Sequence, residues 1–106
     1  MKLKMKLLWN PKRNHKKMAR LLIKGAEAAL GANTGAANIF SNARLVRVVN
    51  TTGNAHLVTL VASVGGAVVG SFTLAGGDSV ELEKEPLQGI FAANAGVKAS
   101  AVGYSN

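Results

Sequence analysis

Val68-Val69-Gly70-Ser71-Phe72-Thr73-Leu74-Ala75-Gly76-Gly77-Asp78-Ser79-Val80-Glu81-Leu82-Glu83-Lys84-Glu85-Pro86 is the stretch on which the fold class turns. Side chains of an extended strand point alternately to its two faces. Before the glycine pair, Val68, Phe72 and Leu74 alternate with Ser71 and Thr73. After it, Val80 and Leu82 alternate with Glu81, Glu83 and Glu85. The apolar sets are expected to face inward and the polar sets outward. Two adjacent glycines accept the positive φ values of a tight primed turn, so Ala75–Asp78 reads as a hairpin. Pro86 ends the second strand because it brings no N–H to a ladder.

The same rhythm extends outward in both directions. Ala43–Asn50 is an apolar run ended by Asn50-Thr51-Thr52-Gly53-Asn54. His56–Ala62 places Val58, Leu60 and Ala62 on one face and Thr59 on the other, and Ser63-Val64-Gly65-Gly66 turns the chain. Leu87–Ala92 and Val97–Tyr104 follow, separated by Asn94-Ala95-Gly96. Residues 19–24 fit either a helix face or a strand with Leu21 and Ile23 inward. Gly25, Gly31 and Gly35 favour the strand, each costing a helix about 1 kcal/mol relative to alanine. Gly31–Asn42 is small and polar and reads as a loop. Six or seven strands at turn spacings of about 8–12 residues predict an all-β fold, a single antiparallel β-sandwich of jelly-roll or Ig-like type.

Composition agrees with this class. The chain has 106 residues, room for one domain, and is 48% hydrophobic with 12 glycines and few aromatics. It has no cysteine, which excludes disulfides, thiolate metal sites and cysteine nucleophiles. No apolar run approaches the ~20 residues of a membrane span. Leu7-Leu8-Trp9 is too short for the core of an export signal.

Charge divides the chain in two. Nine of the 13 basic residues and no acid lie in residues 1–24, whereas residues 25–106 carry four basic residues against five acidic ones. Residues 1–17 are therefore expected to form a basic N-terminal arm and residues 18–106 the sandwich domain. In the arm, Lys2, Lys4 and Lys6 alternate with Leu3, Met5, Leu7 and Trp9, a strand with one basic and one apolar face. Asn10-Pro11 then breaks the pattern and Lys12 and Arg13 continue the charge.

Few side chains offer chemistry. His15 sits among lysines and His56 has no carboxylate near it in sequence, so neither has the partner that a ligand or general base needs. Glu81, Glu83 and Glu85 are spaced about 7 Å apart along a strand. They fit a divalent cation or an acid/base pair, or simply a solvated face whose charge blunts edge pairing. The glycines follow no phosphate-loop spacing, and no serine stands in a nucleophile elbow. No catalytic, metal or cofactor site is expected, and the chain reads as a non-enzyme.

Certain segments, taken in order, carry a resemblance. They are Asn42-Ala43-Arg44-Leu45-Val46-Arg47-Val48-Val49-Asn50-Thr51, Gly70-Ser71-Phe72-Thr73-Leu74-Ala75-Gly76-Gly77, Val80-Glu81-Leu82-Glu83-Lys84-Glu85-Pro86, Val97-Lys98-Ala99 and Val102-Gly103-Tyr104. Over about residues 18–106 the chain resembles short structural proteins of marine bacteriophages, of the cyanophage type. The resemblance implies a virion component, a capsid decoration or knob protein. Residues 1–17 lie outside the pattern, as a real arm or an upstream extension of the reading frame.

The expected partners are capsid or other virion proteins and further copies of the chain, with no membrane partner and no cofactor. Lys2, Lys4, Lys6, Leu7, Trp9, Lys12 and Arg13 are the candidate partner-binding residues. An alternative is a nucleic-acid-binding module in which the arm neutralises phosphates, with Trp9 as its lone stacking group. A carbohydrate-binding sandwich is disfavoured by the scarcity of aromatic platforms.

Overall fold

Among residues 20–105, eight strands are laid down in an order that nests the chain around its own middle. The computed structural model describes residues 20–105. They form β1 (Arg20–Ile23), β2 (Ala28–Ala29), β3 (Leu45–Asn50), β4 (His56–Val61), β5 (Val68–Leu74), β6 (Ser79–Glu83), β7 (Gly89–Ala92) and β8 (Val97–Ser105). All pairings are antiparallel. One sheet has the order β1-β8-β3-β6, with β2 continuing along the same side of β8 as β1; the other has the order β5-β4-β7. A lone bridge, Asn38 to Ile90, adds the segment before β3 to the outer side of β7.

Those pairings define the fold. β1 and β2 pair with β8, the Asn38 segment with β7, β3 with β6, and β4 with β5. Each partner in the first half of the chain meets its mirror in the second half, as in one long hairpin rolled into two sheets. This is the strand order of a jelly roll, and it selects that sandwich over the Ig-like one.

The core lies between the sheets, where the alternation placed it. Val46, Val48, Val97 and Ala99 from one sheet meet Val58, Ile90 and Ala92 from the other, all with no exposed surface. Fully burying a side chain of valine or isoleucine size is worth roughly 1.5–3 kcal/mol. Leu30 and Phe40 close the core from outside the strands. The stretch Gly31–Asn42 is thus more than a polar loop: it holds a turn of 3-10 helix at Thr34–Ala36 and sends Phe40 inward.

Four other expectations need correction. β5 and β6 do not form a hairpin, because β5 pairs with β4 and β6 with β3 in the opposite sheet. The turn itself is real: Asp78 N–H donates to Ala75 O at 3.1 Å, and Gly77 has φ +81°. A side chain at Gly76 would meet the backbone of Gly53 at 2.7 Å. The glycines therefore serve a tight crossover between sheets. The second correction is at the end of β4, where Val61 is buried and Ala62 exposed. Leu60 opposes Gly70 but Val61 opposes Val68, so Val69 is an extra residue and the two-residue period breaks. The same bulge leaves Val68 58% exposed instead of inward. Third, Thr59 is buried, lying between the cross-strand partners Ser71 and Phe91. Fourth, β1 is a strand, but Ile23 is 80% exposed and Leu21 is also exposed, because β1 extends past the core along the end of β8.

Candidate functional site

Asn50 shows how one end of the sandwich is fixed. It ends β3, where β3 meets the crossover turn: Asn50 N–H donates to Asp78 O and Asn50 O accepts from Gly77 N–H, each at 2.9 Å. Its fully buried side chain donates from Nδ2 to Asn54 O at 2.7 Å and Leu74 O at 2.9 Å. Its Oδ1 accepts from Thr52 N–H at 2.9 Å and from Thr52 Oγ1 at 2.7 Å. Every polar atom of the amide is used in joining the β3–β4 loop to β5. Thr51 N–H and Oγ1 both donate to Gly96 O, adding the β7–β8 loop. Thr51–Asn54, the Ala75–Asp78 turn and Asn94–Gly96 are thus one hydrogen-bonded cluster. Ser63–Gly66 lies apart from it, bonded through Gly65 N–H to Thr34 O.

The concave surface lies elsewhere. A groove of about 370 Å³ is lined by Lys24, Phe40, Ser41, Arg44, Leu45 and Val102, among others. Phe40, Ser41 and Asn42 all have left-handed backbone, with φ of 52°, 55° and 65°. Such conformations cost non-glycine residues of order 1 kcal/mol or more each. The groove offers a hydroxyl and two cations, and among the described residues no histidine or carboxylate lines it.

The titratable groups are spread out. His56 is half-buried at the start of β4. Glu81 and Glu83 project from the outer face of β6, and Glu85 follows, held by an exposed ion pair with Arg44 at 3.6 Å. Arg47 stands opposite Glu81 on β3 and donates to Ser79 Oγ at 3.2 Å. A hydrogen bond with Glu81 raises the Tyr104 phenol above its usual range, and burial and the Glu81 charge act the same way. Lys84 turns to the other face and is buried, its Nζ donating to Glu85 O and Pro86 O at 3.3 Å. Desolvation lowers its pKa. Among the described residues no three histidines or carboxylates converge as a metal-ligand set. No helix among them is long and apolar enough to cross a membrane.

The features that most need a partner are the sheet edges. Among the described residues β5 pairs only with β4, and β6 only with β3. An unpaired edge is a row of free N–H and C=O groups, and proteins usually guard it with charge, proline or a covering segment. β6 carries glutamates. β5 carries nothing of the kind: from Leu57 to Gly77 no residue is charged and none is proline. Val64, Val68 and Val69 are each at least half exposed there, and Leu57 on the neighbouring strand nearly so.

Lys2, Lys4, Lys6, Leu7, Trp9, Lys12 and Arg13, the partner-binding residues expected from sequence, lie outside the described residues, as do His15 and the boundary at residue 18. The β5 edge was not foreseen, since strand order decides which strands are outermost. A signal was present all the same, in the long stretch without charge around Val68. No protein-family model, no curated protein and no solved structure matches the chain.

Proposed function

We propose that this chain is a non-enzymatic structural protein that works by assembling with other chains, as an accessory component of a bacteriophage particle. In this reading it is a capsid decoration or knob that oligomerises and docks on other virion proteins. The observation that carries it is the open, uncharged β5 edge with its exposed valines. A chain that stayed solitary would leave such an edge prone to indiscriminate pairing. Filling it with a partner strand supplies main-chain hydrogen bonds for affinity and side-chain contacts for specificity. The jelly roll, which recurs in viral capsid domains, is compatible with this role but does not by itself assign it.

The test is a binding titration of the full-length protein against emptied phage capsids and against DNA, each at two salt concentrations. Capsid binding that depends weakly on salt is the expected result. Binding to DNA alone, fading steeply with salt, would instead assign the protein to nucleic acid through its basic arm.

A further inference from the structure

We infer that the outer edge of β6 receives the segment Lys2–Trp9 of a second copy as an added antiparallel strand. The inference rests on the assembly reading above and names one of its contacts. Among the described residues nothing pairs with the outer side of β6. On its solvent face stand Glu81 and Glu83, with Glu85 just beyond the end of the strand. On its core face stand Val80, which is still 37% exposed, and Leu82, only partly buried against the core. The core is therefore incompletely covered along this edge. The strand it lacks would present basic residues outward and apolar residues inward, both at a period of two.

The sequence contains one such segment. Lys2, Lys4 and Lys6 alternate with Leu3, Met5 and Leu7. In antiparallel register Lys4 lies opposite Glu83 and Lys6 opposite Glu81, while Met5 lies opposite Leu82 and Leu7 opposite Val80. Lys2 then falls beside Glu85. Directly opposed residues share a face, so opposite charges meet on one side and apolar groups on the other. Pairing β6 with its own copy would instead bring glutamates together, which is destabilising. The uncharged β5 edge offers the lysines no complement.

Chain length favours a second copy over the same one. β1 lies three strand positions from β6, about 14 Å across the sheet. Arg20 opposes Ser105, whereas Val46 opposes both Ala101 and Leu82. Arg20 and Asp78 are thus about eight residues apart along the strands, roughly 26 Å. Trp9, on a strand added beyond β6, would lie four strand positions from β1, about 19 Å, so joining it to Arg20 needs about 32 Å in a straight line. Eleven fully extended steps reach at most about 36–40 Å, so the same chain could span this only as a nearly straight tether, which the Asn10-Pro11 break in the sequence disfavours.

The test uses two charge-reversed full-length variants, Lys4→Glu with Lys6→Glu and Glu81→Lys with Glu83→Lys, in sedimentation equilibrium. Glu81 and Glu83 are exposed, and circular dichroism checks that both variants fold. Each variant alone should self-associate at least about tenfold more weakly than the wild type. An equimolar mixture should associate again, because the unaltered arm of one meets the unaltered edge of the other, and the two reversed partners also match. Leu7→Asp should weaken association in every background. Wild-type-like association of either variant, no recovery in the mixture, or a monomeric wild type would overturn the inference. Capsid docking that survives in both variants would leave the assembly reading standing without this contact.

Discussion

Replacing Asn50 with aspartate changes one NH2 group for an oxygen, and the structure fixes what that costs. Nδ2 lies 2.7 Å from Asn54 O and 2.9 Å from Leu74 O, so the new oxygen would face two carbonyl oxygens inside the protein. A carboxylate there is repelled, and the folded state takes up a proton. Holding a carboxyl neutral at pH 7 when its unfolded value is about 3.9 costs roughly 4 kcal/mol. The single O–H then satisfies one carbonyl and leaves the other without the donor that Asn50 supplied, a further ~1–3 kcal/mol. The total is about 5–7 kcal/mol at pH 7, comparable with the whole stability of a small domain. The sign with pH follows. The variant's folded state binds more protons than its unfolded state, so its stability falls as pH rises above about 3.9. Urea unfolding of both proteins at about pH 4 and pH 7 measures it. The deficit should shrink to about 1.5–3.5 kcal/mol at the lower pH, since half the unfolded chains are then already protonated. A deficit below about 1 kcal/mol at pH 7, or one independent of pH, would show that the amide is not the junction of these loops.

Two further outcomes test the faces of β6 and the buried cation. Leu82→Asp should cost several kcal/mol, by burying a carboxyl against the core, whereas the exposed Glu83→Gln should stay within about ±0.5 kcal/mol; equal effects in thermal unfolding would mean the faces are reversed. Lys84 has its pKa lowered by desolvation, so the unfolded chain binds more protons and stability from this group rises with pH up to about 10.4. Chemical unfolding from about pH 8 to about pH 10 should show that rise in the wild type and its loss in Lys84→Met.

Much of the fold was legible because the jelly roll is built from half-buried strands, and half-burial writes itself as a period of two. β3 is the clearest case: Val46, Val48 and Asn50 are buried while Leu45, Arg47 and Val49 are less so. What failed has physical causes. Gly76-Gly77 marks a sharp reversal, but a turn motif records local backbone geometry and not the sheet to which the next strand belongs. The bulge at Val69 follows from how β5 pairs with β4, a relation between segments that neither displays alone. Phe40 was hidden because it stands among small and polar residues, in a loop whose left-handed backbone is set by packing. Asn50 looked like a turn former, and it is one. Its burial depends on Leu74 O, which lies 24 residues away.

The candidate site was less legible than the fold, for a reason that applies to any sheet protein. Guard residues are written in the sequence, but whether a strand needs guarding is decided by strand order. The glutamates of β6 were readable as edge protection before β6 was known to be an edge. The lack of any charge around Val68 and Val69 had no meaning until β5 proved to be outermost as well. The two edges are then chemically different. Charge on β6 repels its own copy and selects a basic strand, while β5 can accept any uncharged strand that covers its valines. On the assembly reading proposed above, a single chain carrying one selective and one permissive edge can contact two kinds of neighbour at once.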